Sequence, residues 1–112
     1  MKITMRVAGD VTILDMIGNM KSPADLEDFS GAVNAELDQN HLKLLLNFKD
    51  VGFVNSSGLG RLVLAAKKIG DKSGHLKVVN LAPDLDELFT FTRLKEKIGV
   101  FKAEDEALRS FQ

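Results

Sequence analysis

The residues best suited to chemistry follow an apolar stretch in the middle of the chain. Two hydroxyl groups, Ser56 and Ser57, come after Phe53-Val54 and before a helical pattern that opens with two glycines. The free N–H groups and positive end of such a helix attract an anion. A phosphate on Ser56 would lie there and carry about −1.5 to −2 charges outward. Ser56 is therefore a candidate phosphorylation site; the alternative is that it only caps the helix, a common role of serine.

Catalytic and phosphate-binding motifs are incomplete in this stretch. Gly58-Leu59-Gly60 lacks the third glycine and the later acidic residue of a dinucleotide fingerprint, and the chain has no Gly-Lys-Ser/Thr of a P-loop. A nucleophile elbow needs glycine two residues before the serine as well as two after, and Val54 precedes Ser56 at that spacing. A small Ser-dependent hydrolase is therefore a distant alternative. The sequence predicts no enzyme, no catalytic residue and no cofactor.

Composition excludes several classes of function. The chain has no cysteine, and its two histidines, His41 and His75, lack metal-ligand spacing, so we expect no metal site. Fifteen basic and sixteen acidic residues leave a net charge of −1, which argues against nucleic acid as a partner. A membrane-spanning helix needs about 20 apolar residues, and no apolar run in the chain approaches that length. No signal peptide is visible. We therefore expect a cytoplasmic protein without membrane insertion.

Hydrophobic periodicity predicts one α/β domain over residues 1–112, with elements in the order ββαβαβαβα. The predicted strands are Lys2–Val7, Val11–Ile17, Leu42–Phe48, Leu76–Val79 and Gly99–Phe101, and helices begin near Ser22, Ser56, Pro83 and Glu104. We expect a small, mostly parallel mixed sheet with an antiparallel N-terminal edge and helices mainly on one face. The predicted buried residues are Leu26, Phe29, Leu44, Leu46, Phe48, Leu62, Ile69, Leu88 and Phe89, with Met5, Met16 and Met20 also assigned to the core.

The element order, the length and the segment Val54–Gly60 resemble the STAS domain of bacterial anti-sigma factor antagonists. In that family the segment reads Asp-Ser-(Ser/Thr/Ala)-Gly-Leu-Gly at a strand-to-helix junction. Leu44–Val51 and Gly70–Val79 also fit the family pattern. Two departures stand out: the family's Asp is Asn55 here, and Gly18–Lys21 reads Gly-Asn-Met-Lys where the family often has Gly-Glu-Leu-Asp.

The resemblance implies a non-enzymatic regulatory protein that binds an anti-sigma factor, itself a serine kinase. Phosphorylation of Ser56 by that kinase would switch binding off, and a PP2C-type phosphatase would restore it. The implied binding surface comprises Asn55, Ser57, Gly58, Leu59 and Gly60. Because Asn55 supplies no carboxylate, we expect slow phosphorylation of Ser56 by a typical kinase of this family, or none, with partner binding retained. The alternative within this family is an adaptor subunit of a lipid-transport ATPase or a signalling assembly without a phosphoswitch.

Overall fold

The computed structural model describes residues 1–112 and contains the predicted elements in the predicted order. They are β1 (Lys2–Ala8), β2 (Val11–Ile17), α1 (Pro23–Asp38), β3 (Lys43–Asp50), α2 (Ser56–Asp71), β4 (His75–Val79), α3 (Pro83–Phe91), β5 (Gly99–Phe101) and α4 (Glu104–Ser110). A short 3-10 turn at Leu94–Glu96, which periodicity did not predict, joins α3 to β5. None of the helices combines the length and apolar character that a bilayer crossing requires.

The five strands form one sheet in the order β1-β2-β3-β4-β5. β1 pairs antiparallel with β2, and the other neighbours pair in parallel. The β1–β2 hairpin turns at Gly9, whose φ of +64° lies in the left-handed region that glycine adopts without strain. Each parallel pair is joined by one helix, as parallel neighbours require. The predicted mixed sheet with an antiparallel N-terminal edge is confirmed.

Two apolar cores lie on the two faces of the sheet. The larger contains 21 buried residues and lies beneath α1, α2 and α3, whereas the smaller has 6 and lies beneath α4. The central strand β3 serves both, since Leu44, Leu46 and Phe48 face the larger core and Leu45 the smaller one. This explains why β3 reads as a nearly continuous apolar run. Helices lie mainly on one face, as predicted.

The predicted core positions are buried with two exceptions. Leu88 is only half-buried against the larger core. Met16 and Met20 are buried, but the assignment of Met5 to the core is wrong, because its side chain is 57% exposed. Met5 lies on the outermost strand, opposite Leu14, where no helix covers it fully. Sequence pattern alone did not distinguish this edge strand from its buried neighbour.

The α4 face of the sheet carries a polar network beside the smaller core. Arg6 of β1 donates to Asp15 of β2 (Nε–Oδ2, 2.6 Å) and to Glu104 of α4 (Nη2–Oε1, 2.7 Å). Asp15 also accepts from the side-chain amide of Asn47 at 2.8 Å. The hydrogen bonds from Arg6 and Asn47 keep the pKa of Asp15 below its usual range, although desolvation opposes them. The charge of Arg6 is thus paired within the chain.

We expect Leu46→Ala to lower the free energy of unfolding by about 2–5 kcal/mol, because it leaves a cavity in a fully buried strand. Leu64→Ala is the matched control, since Leu64 lies on α2 and is 45% exposed. The control should change stability by less than about 1 kcal/mol. Urea denaturation of both variants measures this, and equal losses would contradict the assignment of β3 as the central strand.

Candidate functional site

A loop of five residues, 51–55, joins β3 to helix α2, and its last residue, Asn55, is the N-cap of the helix. The backbone of Asn55 is extended (φ −79°, ψ 176°), and its Oδ1 accepts a hydrogen bond from the N–H of Gly58 at 2.7 Å. Ser56 is the first residue inside the helix. The alternative that Ser56 caps the helix is therefore wrong: the preceding residue already holds the capping position, since a cap side chain binds the backbone two or three residues onward.

The Ser56 hydroxyl is available for reaction. The side-chain hydrogen bonds at this helix start are made by Asn55, and Ser56, whose side chain is exposed, takes part in none of them. The N–H of Leu59 binds the carbonyl oxygen of Asn55 at 3.0 Å, while the N–H groups of Ser56 and Ser57 have no acceptor within the chain. Two unpaired donors therefore lie beside the hydroxyl, where they would favour a phosphate.

The electrostatics at this helix end differ from those at the others. The first turns of α1, α3 and α4 each contain at least one acidic residue, whereas that of α2 contains none. Acidic side chains in a first turn offset the positive end of the helix dipole. The positive end of α2 consequently remains uncompensated next to Ser56.

The loop after β2 is joined to the loop after β3 by several hydrogen bonds. The amide Nδ2 of Asn55 donates to the carbonyl oxygen of Lys21 at 3.0 Å. The backbone N–H of Asn55 donates to the carbonyl oxygen of Met20 at 2.9 Å. Met20 in turn donates to the carbonyl oxygen of Phe53 at 2.9 Å, and Gly52 to Oδ1 of Asn19 at 3.2 Å. Residues 18–21 therefore belong to the same surface as Ser56.

The resemblance implied that Gly18–Lys21 lie on a neighbouring surface, but the contacts that join this loop to α2 were not predicted from the sequence. Met20 is fully buried and forms an isolated parallel bridge with Val54. The available signal was one large apolar residue in an otherwise polar loop, which indicates an anchor beneath a surface loop. Asn55 thus performs two tasks, because it accepts from α2 and donates to the neighbouring loop.

The two glycines in the first turns of α2 are not equivalent. A Cβ on Gly58 would lie 2.7 Å from Cγ1 of Val54 and 3.2 Å from Cβ of Met20, so packing requires glycine there. A Cβ on Gly60 would meet nothing within 4 Å. Glycine inside a helix costs about 1 kcal/mol relative to alanine, and nothing within the chain explains this cost at Gly60. Its bare backbone leaves room for another molecule to approach closely.

The residues expected to meet a partner occupy different depths. Ser57 and Gly60 are exposed, Asn55 and Leu59 are half-buried, and Gly58 is buried. Phe53, which the sequence reasoning did not include, is 50% exposed on the loop hydrogen-bonded to Met20. The surface around Ser56 thus combines a hydroxyl, a bare helix backbone and an aromatic side chain.

Neither histidine is placed to activate Ser56. His75 begins β4 and His41 precedes β3, whereas Ser56 follows the carboxyl end of β3. β3 has eight residues, which at about 3.3 Å each separate these ends by about 26 Å. The ring of His41 instead lies 3.3 Å from the carboxylate of Glu36. No general base therefore contacts the Ser56 hydroxyl, and no cluster of three His, Asp or Glu residues is arranged to hold a metal ion.

Comparisons with known sequences identify relatives of the whole chain. A sequence model described as the STAS domain matches residues 2–107. BtrV of Bordetella bronchiseptica, provisionally named an anti-sigma factor antagonist, is 24% identical over 112 residues, covering 100% of this chain and 96% of BtrV. The anti-sigma-B factor antagonist of Bacillus subtilis is 39% identical over 57 residues, covering 51% of this chain and 52% of that protein.

Solved structures share the fold. A Thermotoga maritima protein provisionally named an anti-sigma factor antagonist matches with a TM-score of 0.88 at 23% identity, over 97% of this chain and 93% of that one. SpoIIAA, an anti-sigma factor antagonist, matches in its unphosphorylated form with a TM-score of 0.75 at 16% identity, over 97% and 96% of the two chains. The Bacillus cell fate determinant SpoIIAA in its phosphorylated form matches with a TM-score of 0.75 at 18% identity, over 99% of this chain and 100% of that one. Because the STAS model spans nearly the entire sequence, the chain belongs to the STAS domain family.

Proposed function

We propose that this protein is a cytoplasmic anti-sigma factor antagonist that acts by binding and not by catalysis. Its partner is an anti-sigma factor with serine kinase activity, which docks on the N-terminal end of α2. Phosphorylation of Ser56 ends this binding, and a PP2C-type phosphatase restores it. The observation that carries the proposal is the exposed, unpaired hydroxyl of Ser56 at a helix end that no acidic residue compensates.

The proposed switch follows from where the phosphate would lie. In the free protein, a phosphate on Ser56 is solvated and adjoins the unpaired N–H groups of Ser56 and Ser57, so folding is not penalised. In the complex the partner would cover it. Removing an ion from water without a matching partner costs several kcal/mol, and each 1.4 kcal/mol is about a tenfold loss of affinity. Solved structures of SpoIIAA in its unphosphorylated and phosphorylated forms match this chain with the same TM-score, 0.75, which supports a switch that preserves the fold.

A second candidate function is a STAS adaptor without a phosphoswitch, in a lipid-transport ATPase or a signalling assembly. The observation that favours it is the amide at Asn55. Asn55 uses both polar atoms within the chain, one for Gly58 and one for Lys21, and presents no carboxylate to a kinase or its magnesium ion. The two functions share the docking surface and differ in whether Ser56 is phosphorylated.

Ser56→Asp should weaken the complex with the cognate anti-sigma factor at least about tenfold, because it places a charge in the covered surface. Ser56→Ala should retain binding, and the melting temperature of both variants should change little. Ser73→Asp is the control, since Ser73 is exposed beyond the opposite end of α2. Calorimetric titration and thermal unfolding give the two readouts. Equal binding by Ser56→Asp and Ser56→Ala would remove the support for a switch.

Alanine substitutions at Gly58 and Gly60 distinguish a glycine needed for folding from one needed for partner binding. Gly58→Ala should lower the free energy of unfolding by about 1–3 kcal/mol, because its Cβ would press on Val54 and Met20. Gly60→Ala should raise it by up to about 1 kcal/mol, because alanine favours the helix and its Cβ meets open space. Despite this gain, Gly60→Ala should weaken partner binding. Unchanged affinity in Gly60→Ala would show that the partner does not approach this part of α2.

Asn55→Asp should accelerate phosphorylation of Ser56 by a serine kinase of this type, because it supplies the carboxylate that Asn55 lacks. The variant retains an acceptor for the N–H of Gly58 but loses the donor to Lys21. Phosphate incorporation over time measures the rate. Asn34→Asp, the same change on α1, serves as the control and should leave the rate unaltered. If the unmodified protein is phosphorylated rapidly, and Asn55→Asp is phosphorylated no faster, then the amide of Asn55 replaces the family's carboxylate without effect on the rate.

A further inference from the structure

We propose that the free edge of β1 pairs with β1 of a second copy of this chain. The pairing is antiparallel, centred on Met5, and joins two five-stranded sheets into one of ten strands. This inference goes beyond the proposed function and does not depend on it, because it involves the backbone of the edge strand β1 and no residue of α2 or its N-cap.

The two edges of the sheet are protected to different extents. β5 has three residues, and a very short edge strand offers little backbone for pairing. β1 has seven residues, contains no proline and pairs with β2 without a bulge from Lys2 to Ala8. Outside the β1–β2 ladder, no backbone hydrogen bond involves a residue of β1. The outward N–H and C=O groups of β1 therefore have no partner within the chain.

The side chains of β1 also do not prevent pairing. Met5 is 57% and Val7 65% exposed, and both lie with Ile3 on the face of the sheet that carries α1. On the other face, Arg6 is bound to Asp15 and Glu104 of its own chain, so its charge is already compensated. An edge strand is usually protected against pairing by uncompensated charged side chains on the strand, including charged side chains that point inward. Only Lys2, at the end of the strand, remains as an unpaired charge.

The sequence of β1 selects one register. A two-fold axis keeps each face of the sheet continuous, so residues of the same face must lie opposite one another. A pairing centred on Thr4 would place Lys2 opposite Arg6, and one centred on Arg6 would place two arginines together; like charges directly opposite are destabilising. A pairing centred on Met5 avoids both.

The Met5-centred register also pairs all seven residues of the strand. Ile3 then lies opposite Val7 of the other copy, and Met5 opposite itself, which gives a continuous apolar row across the junction. Thr4 lies opposite Arg6, and Lys2 opposite Ala8. Because the two copies run in opposite directions, their Ser56 sites lie at opposite ends of the joined sheet and stay free for a partner.

Sedimentation equilibrium over a range of protein concentrations tests the association. The unmodified chain should form a reversible dimer, and Met5→Lys, which places two lysines at the centre, should weaken it at least about tenfold. Phe91→Lys is the control, since Phe91 is 86% exposed on α3, and it should leave the dimer intact. Ser56→Asp should also leave it intact, which separates this test from that of the proposed function. A monomer at every concentration, or a dimer unaffected by Met5→Lys, would overturn the proposal.

Cysteine substitution tests the register, because the chain has no cysteine of its own. Met5→Cys brings two thiols to directly opposite positions, with Cβ atoms about 4.5–5.5 Å apart. Val7→Cys leaves its two thiols four residues apart along the strands, about 13 Å. Under mild oxidation, Met5→Cys should form disulfide-linked dimers at least about tenfold faster than Val7→Cys. Equal rates, or faster linkage through Val7→Cys, would contradict the Met5-centred pairing.

Discussion

The burial of the middle of β3 on both faces, with Leu44 and Leu46 on one side and Leu45 on the other, is the constraint on which the rest of the structure depends. Apolar side chains on both faces of a strand require a cover on each side; α1, α2 and α3 cover one face of β3, and α4 covers the other around Leu45. The chain can leave the buried layer only at the ends of the strand. After the carboxyl end of β3, the next helix therefore begins at the surface, and its unpaired N–H groups and Ser56 are exposed there by the architecture itself.

Asn55 leaves the Ser56 hydroxyl free and fixes the residues around it. By capping α2 it removes the need for the serine hydroxyl to do so, and by donating to Lys21 it fixes the neighbouring loop beside the helix end. Gly58 permits the close packing of this helix start on Val54 and Met20, while Gly60 leaves an open backbone with no internal purpose. Residues that hold the structure and residues available to a partner are thus interspersed over the six positions from Asn55 to Gly60.

Local signals predicted most of the fold. Apolar spacing identified α1 and α2, the Ser22-Pro23 pair marked the start of α1, and Gly9 marked the hairpin, because each depends on neighbouring residues alone. The features that were missed depend on distant parts of the chain.

Two adjacent cap-forming residues, Asn55 and Ser56, left the capping residue undecided until the geometry was known. Asn55 forms hydrogen bonds to residues 20 and 21, and Met5 is exposed at the edge of the sheet. Both features follow from the tertiary arrangement, so the periodicity of apolar residues does not predict them. The resemblance to anti-sigma factor antagonists located the candidate site, and the structure supplied its depth, charge and neighbours.

The central claim is that Ser56 is the residue through which this protein is regulated. Mass-spectrometric mapping of phosphate on the protein isolated from its native cells tests it most directly. The account predicts phosphate on Ser56, with the adjacent Ser57 unmodified. Phosphate on Ser57 or elsewhere with Ser56 unmodified, or no phosphate at all in cells whose anti-sigma factor kinase is active, would contradict it.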